Sequence, residues 1–89
     1  MRKLDLTHDA LGFLKTLPVK QFRQVVSKIF DLMTNPEPHA SQTLTGYEYR
    51  RADIGEYRIV YRFDREFLYV ALIGKRNDSD IYKRLQRKL

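Results

Sequence analysis

The apolar residues of this chain change their spacing once, from a helical period to a period of two. That single switch limits the folds open to it. Phe22, Val25, Val26, Ile29 and Met33 recur at steps of three and four, which puts them on one stripe of a helix. From residue 47 onward the pattern alternates. Tyr57, Ile59, Tyr61 and Phe63 share one face of a strand, and Arg58, Val60 and Arg62 share the other. A helical half followed by a stranded half predicts an α+β domain with its helices on one face of a sheet.

Local signals place the remaining elements. Residues 2–6 alternate and predict a short strand. Thr7 suits the N-cap of a helix over 8–16 that carries Ala10, Leu11 and Leu14 on one face. Pro18 suits the first turn of a second helix, whose Phe22, Val25 and Ile29 are expected in the core; Asn35-Pro36 ends it. A polar connection runs from Pro36 to Thr45. A strand then begins at Tyr49, Arg50 and Arg51 and reaches about Asp53, and Gly55 marks a tight turn. Asp64-Arg65-Glu66 reads as a hairpin tip. Phe67 to Ile73 is nearly continuous in apolar residues, as expected of a central strand covered on both faces. Gly74 stops that strand, and Asn77, Asp78 and Ser79 offer caps for a last basic helix anchored by Ile81 and Leu85. The expected order is β-α-α-β-β-β-α in one domain over 1–89. The helical hairpin covers one face of an antiparallel sheet, and the short C-terminal helix partly covers the other, basic face.

Charge narrows the partners. Seventeen Lys and Arg against eleven Asp and Glu give +6. Eleven of the seventeen lie in 47–89, and eight of those eleven are arginine, whose planar fork grips phosphate oxygens through paired hydrogen bonds. An anionic partner is expected, whether nucleic acid, lipid surface or acidic protein. The absence of cysteine removes disulfides, thiolate nucleophiles and cysteine-type zinc sites. No stretch approaches the roughly 20 apolar residues of a membrane span, and MRKLDLTHDA lacks the apolar run of a signal peptide, so a cytoplasmic, membrane-free protein is expected. No metal-ligand spacing, glycine-rich phosphate loop or Ser-His-Asp set occurs, and no cofactor or metal is expected. His8 and His39 lie far in sequence from the arginine-bearing strands and read as ordinary surface histidines. Glu56 reads as an ion-pair partner of Arg58.

Two segments carry a family resemblance: LTGYEYRRADIGEYRIVYRF and LYVALIGKRNDSDIYKRL. The first holds a leucine-x-glycine lead, a basic strand, a glycine hairpin and a Tyr-Arg-x-x-Tyr strand. The second holds an apolar strand, Gly-Lys-Arg, and a tyrosine six residues beyond that arginine. Together with the helical hairpin, these resemble the RelE branch of the RelE/ParE toxin superfamily over nearly the whole chain. The resemblance implies the toxin of a type II toxin–antitoxin pair, a metal-independent endoribonuclease that cuts mRNA in the ribosomal A site. The RNA 2′-hydroxyl is then the nucleophile, and the products are a 2′,3′-cyclic phosphate and a 5′-hydroxyl. Its partners are the ribosome, mRNA and a cognate antitoxin laid over the sheet.

Carried over residue by residue, Arg58, Arg76 and Tyr82 match the family's catalytic positions. Arg51 falls where the preceding strand places its first basic residue. Arg50, Arg51, Lys75, Lys83 and Arg84 form the expected RNA-gripping set. The chain departs at Asp53, where a second basic residue is usual; Arg50 replaces it if the strand is bulged. A ParE-like toxin that inhibits DNA gyrase without catalysis is the rival reading, and an inactive binding module is a third.

Overall fold

The computed structural model describes residues 1–44, 48–77 and 79–88. Thr45 and Gly46 of the leucine-x-glycine lead, Tyr47, Asp78 among the candidate caps, Leu89, and the side chain of Lys88 lie outside the described residues. The elements are β1 (Lys3–Leu6), α1 (His8–Lys15), α2 (Val19–Thr34), β2 (Gln42–Thr43), β3 (Arg50–Ile54), β4 (Tyr57–Phe63), β5 (Phe67–Lys75) and α3 (Asp80–Lys88). The strands form one five-stranded sheet in the order β1-β5-β4-β3-β2.

The α+β architecture and the helical hairpin agree with the sequence pattern, while the pairing adds two features. β1 joins the edge of β5 in parallel, and β2 is a two-residue antiparallel edge strand inside the expected polar connection. Alternation tells which face a residue takes but not which way its neighbour runs, so the sheet is mixed where an antiparallel one was expected.

Thr7 ties the layers together. Its hydroxyl accepts from the amide of Ala10 at 3.1 Å, capping α1, and donates to the carbonyl of Ala71 on β5 at 2.6 Å. The helices bury Ala10, Leu14, Val25, Ile29 and Leu32 against Ala52, Tyr57, Ile59, Tyr61, Leu68, Val70 and Ile73 of the sheet. Tyr61 is fully buried, and its hydroxyl donates to the carbonyl of Pro36 at 2.6 Å, so the polar tip is satisfied. Phe22 departs from expectation at 40% exposed. The stripe of α2 facing the sheet centres on Val25, Ile29 and Leu32, which leaves Phe22 on its flank.

A smaller core lies on the other face, where Ile81 and Leu85 of α3 cover Val60, Ala71, Leu72 and Leu44. A bulge makes this possible. Val60 pairs with Leu72 and Tyr61 with Val70, so Ala71 has no partner, and it and Leu72 both turn toward α3. The shift brings Gly74 opposite Arg58 beneath α3, where a Cβ would lie 3.3 Å from the Ile81 Cδ1. The helix therefore packs close to the strand because residue 74 has no side chain.

Candidate active site on the basic face

The β3–β4 hairpin fixes the centre of the site. Gly55, at φ +57°, opens a two-residue turn that pairs Ile54 with Tyr57 and therefore Asp53 with Arg58. Cross-strand partners share a face, so the carboxylate and the guanidinium meet side by side. Arg58 donates from Nε to Oδ1 of Asp53 at 2.7 Å and from Nη2 to Oδ2 at 3.1 Å, a two-pronged pair. Its Nη1 donates to the hydroxyl of Tyr82, delivered by the first turns of α3. The Arg58 guanidinium also lies 5.9 Å from the centre of the Tyr82 ring. One arginine thus holds a carboxylate on one edge and a phenol on another.

Two further arginines surround the pair. Arg51 stands opposite Val60, on the same face as Arg58, and donates from Nη2 to the Gln42 side chain at 2.6 Å. Arg76 is exposed, and its amide donates to the carbonyl of Glu56 at 2.7 Å, which anchors it beside the β3–β4 turn. The Arg58 hydrogen bonds, and then the charges of Arg58, Arg51 and Arg76, hold the Asp53 carboxyl below its ordinary value of 3.8, against the opposing effect of burial. Asp53 in turn raises the pKa of Arg58. The Asp53 side chain is 35% exposed and that of Arg58 11%, so the carboxylate forms the rim and the guanidinium the floor.

Of the residues singled out from sequence, Arg58, Tyr82, Arg51 and Arg76 come to this one end of the sheet. Of the others, Arg50, Lys75 and Lys83 do not join them, and Arg84 reaches only the edge of the site, its Nη1 3.6 Å from where a Cβ on Gly74 would lie. Arg50 pairs with Tyr61, so it points to the helical face; it bonds Ser41 Oγ at 2.8 Å and lies 3.7 Å from Glu37. The β3–β4 register is regular, so no bulge returns Arg50 to the place of a second basic residue. Lys75 pairs with Tyr57, which also puts it on the helical face. Arg84 is engaged by Asp9 of α1. Lys83 is exposed, on the side of α3 away from Ile81 and Leu85. The partner of Arg58 is Asp53, not Glu56. Asp53 is the site residue that sequence reasoning undervalued. The signal was present, because a two-residue turn at Gly55-Glu56 by itself places 53 opposite 58.

The same face carries a second feature at the other end of β4. Arg62 lies 4.1 Å from the Tyr69 ring centre and 3.6 Å from Glu48, beside a cavity of about 210 Å³ lined also by Asp5, Thr7 and Tyr49. Among the described residues, no group of three or more His, Cys, Asp or Glu is placed to hold a metal ion, and no helix is long and apolar enough to cross a membrane.

The sequence model of the ParE toxin of type II toxin–antitoxin systems, parDE, matches residues 4–79. The chain belongs to the RelE/ParE toxin family. Solved structures share its fold. An arginine-substituted RelE toxin of E. coli in the free state superposes with a TM-score of 0.81 at 22% identity, covering 99% of this chain and 98% of that one. The RelBE2 toxin–antitoxin complex of Mycobacterium tuberculosis gives a TM-score of 0.74 at 25% identity over 84% of this chain and 98% of that one. The RelE–RelB complex of the archaeon Pyrococcus horikoshii gives 0.73 at 19% identity, covering 88% and 98%. No curated protein sequence matches. As a member of this family, the chain is the toxin of a type II toxin–antitoxin system.

Proposed function

We propose that this toxin is an endoribonuclease that cuts mRNA in the ribosomal A site and acts in the cytoplasm. The observation that carries the reading is the placement of Arg51, Asp53 and Arg58 on one face of the β3–β4 hairpin, with Arg76 anchored beside its turn and Tyr82 bonded to Arg58. Attack of a 2′-hydroxyl on the adjacent phosphate builds negative charge on the phosphorus oxygens and on the departing 5′-oxygen. Guanidinium groups stay charged at any working pH and neutralise the first. A positioned phenol can give a proton to the second. The exposed Arg76 and the half-buried Arg51 are the phosphate-facing groups. Arg58, on the floor, orients Tyr82. The ribosome supplies the alignment of attacking and leaving oxygens that so open a site provides only in part. The structural neighbours include toxins in complex with their antitoxins, which supports a cognate antitoxin as the second partner.

A second reading has one observation in its favour: the matching family model is that of ParE. In it, the same face docks on DNA gyrase without catalysis. Induced expression separates the two. Under the ribonuclease reading, transcripts are cut at mapped positions inside ribosome-protected codons, and Arg76→Ala, an exposed substitution, removes the cuts. DNA breaks with intact transcripts would refute it in favour of gyrase.

A further inference from the structure

The ribonuclease reading leaves the first proton transfer without an acceptor, because arginine is a poor base and, among the described residues, neither histidine is bonded to Arg58, Asp53 or Tyr82. The geometry points to Asp53: we propose that its carboxylate takes the proton of the attacking 2′-hydroxyl, while Tyr82, at the other edge of Arg58, protonates the leaving 5′-oxygen. This rests on the ribonuclease reading and assigns its acid and base.

Two observations support the pairing. Asp53 is bonded to the arginine at the centre of the cluster, and its side chain is more than three times as exposed as that of Arg58, so the carboxylate is open to substrate. Arg58 holds both oxygens of Asp53 and the hydroxyl of Tyr82 through three different nitrogens, so the two proton-carrying groups have fixed and separate positions in one rigid frame. An in-line displacement needs a proton acceptor for the attacking oxygen and a separate donor for the leaving one, and these two groups are separate.

The step balances without a further reactant. The 2′-oxygen forms its bond to phosphorus as its proton passes to Asp53. The phosphorus–5′-oxygen bond breaks, and its electron pair takes the phenolic proton of Tyr82. The products are the cyclic phosphate, a 5′-hydroxyl, a neutral Asp53 and a Tyr82 phenolate stabilised by Arg58. Return of the proton from Asp53 to Tyr82 resets the site.

The test is single-turnover cleavage of ribosome-bound mRNA by the purified toxin, with ordinary mRNA and with mRNA carrying a bridging sulfur in place of the 5′-oxygen at the mapped cut. Sulfur leaves without needing a proton. Asp53→Asn is expected to slow the ordinary substrate by about 10²–10⁴-fold, the usual worth of a general base. The sulfur substrate should restore Tyr82→Phe to near the wild-type rate and leave Asp53→Asn slow. Asp53→Glu, which keeps the carboxylate, should recover part of the loss, and equal circular dichroism spectra exclude misfolding as the cause. The proposal is overturned if Asp53→Asn cuts as fast as or faster than wild type, which would make Asp53 a mere counter-ion competing with phosphate. It is also overturned if sulfur rescues Asp53→Asn as it rescues Tyr82→Phe. A wild type that cuts neither substrate, and behaves like Arg76→Ala, refutes the ribonuclease reading itself.

Discussion

Removal of the Asp53 carboxylate should destabilise the fold by an amount the geometry sets. Asp53→Ala deletes both acceptors of the two-pronged pair and leaves the 11% exposed Arg58 with Tyr82 as its remaining hydrogen-bond partner among the described residues. Stranding a fully buried charge costs about 3–5 kcal/mol, whereas an exposed pair contributes about 0–1. Asp53 is about a third exposed, so water replaces part of what is lost and the expected cost is about 2–3 kcal/mol. For a domain of this size, that lowers Tm by roughly 10–20 °C. Thermal unfolding followed by circular dichroism at pH 7 measures it. The pH dependence has a definite sign. The carboxyl is held below its ordinary value of 3.8 in the folded state, so its stabilisation is complete above that value and is lost as the pH falls through the lower, folded one. The gap between wild type and Asp53→Ala should therefore be constant from neutrality down to mildly acidic pH and close only below 3.8. An Asp53→Leu, Arg58→Met double variant should recover much of the loss, since an apolar pair strands no charge. A Tm shift under about 3 °C for Asp53→Ala would refute the reasoning, because it would mean that Arg58 is solvated in the native protein.

Further outcomes follow from other contacts. Gly55→Ala adds a Cβ at φ +57° that would lie 2.9 Å from the Gln24 side chain, and should cost about 1–2 kcal/mol in urea unfolding, with Gln24→Ala relieving only the steric part. Tyr61→Phe leaves the buried Pro36 carbonyl without its donor and should cost about 1–3 kcal/mol by the same assay. Leu85→Ala empties the anchor of α3, and a loss of about 2–5 kcal/mol is expected. Because α3 carries Tyr82, toxicity on induced expression should fall with it, and toxicity at the wild-type level would refute a role for that helix in the site.

Much of this protein is legible along the chain. The spacing of Val25 and Ile29, the alternation of Tyr57, Ile59 and Tyr61, the cap at Thr7 and the turn at Gly55 are local properties, and the elements they mark, α1, α2, β3 and β4, appear where the local pattern places them. The arginine-rich face is legible too, because alternation assigns Arg58 to the side opposite Tyr57 and Ile59. Tertiary structure decided the remainder. Pairing direction leaves no mark on alternation, so the parallel seat of β1 emerges only in the sheet. The bulge at Ala71 shifts the phase of an apolar run in which every residue is suited to either face, and this brings Gly74 beneath α3. Arg50 and Arg51 are adjacent and chemically identical, yet β3 sends one toward the helices and the other toward Asp53. Sequence supplied the charges. The register, which matches residues distant along the chain, chose which of them meet.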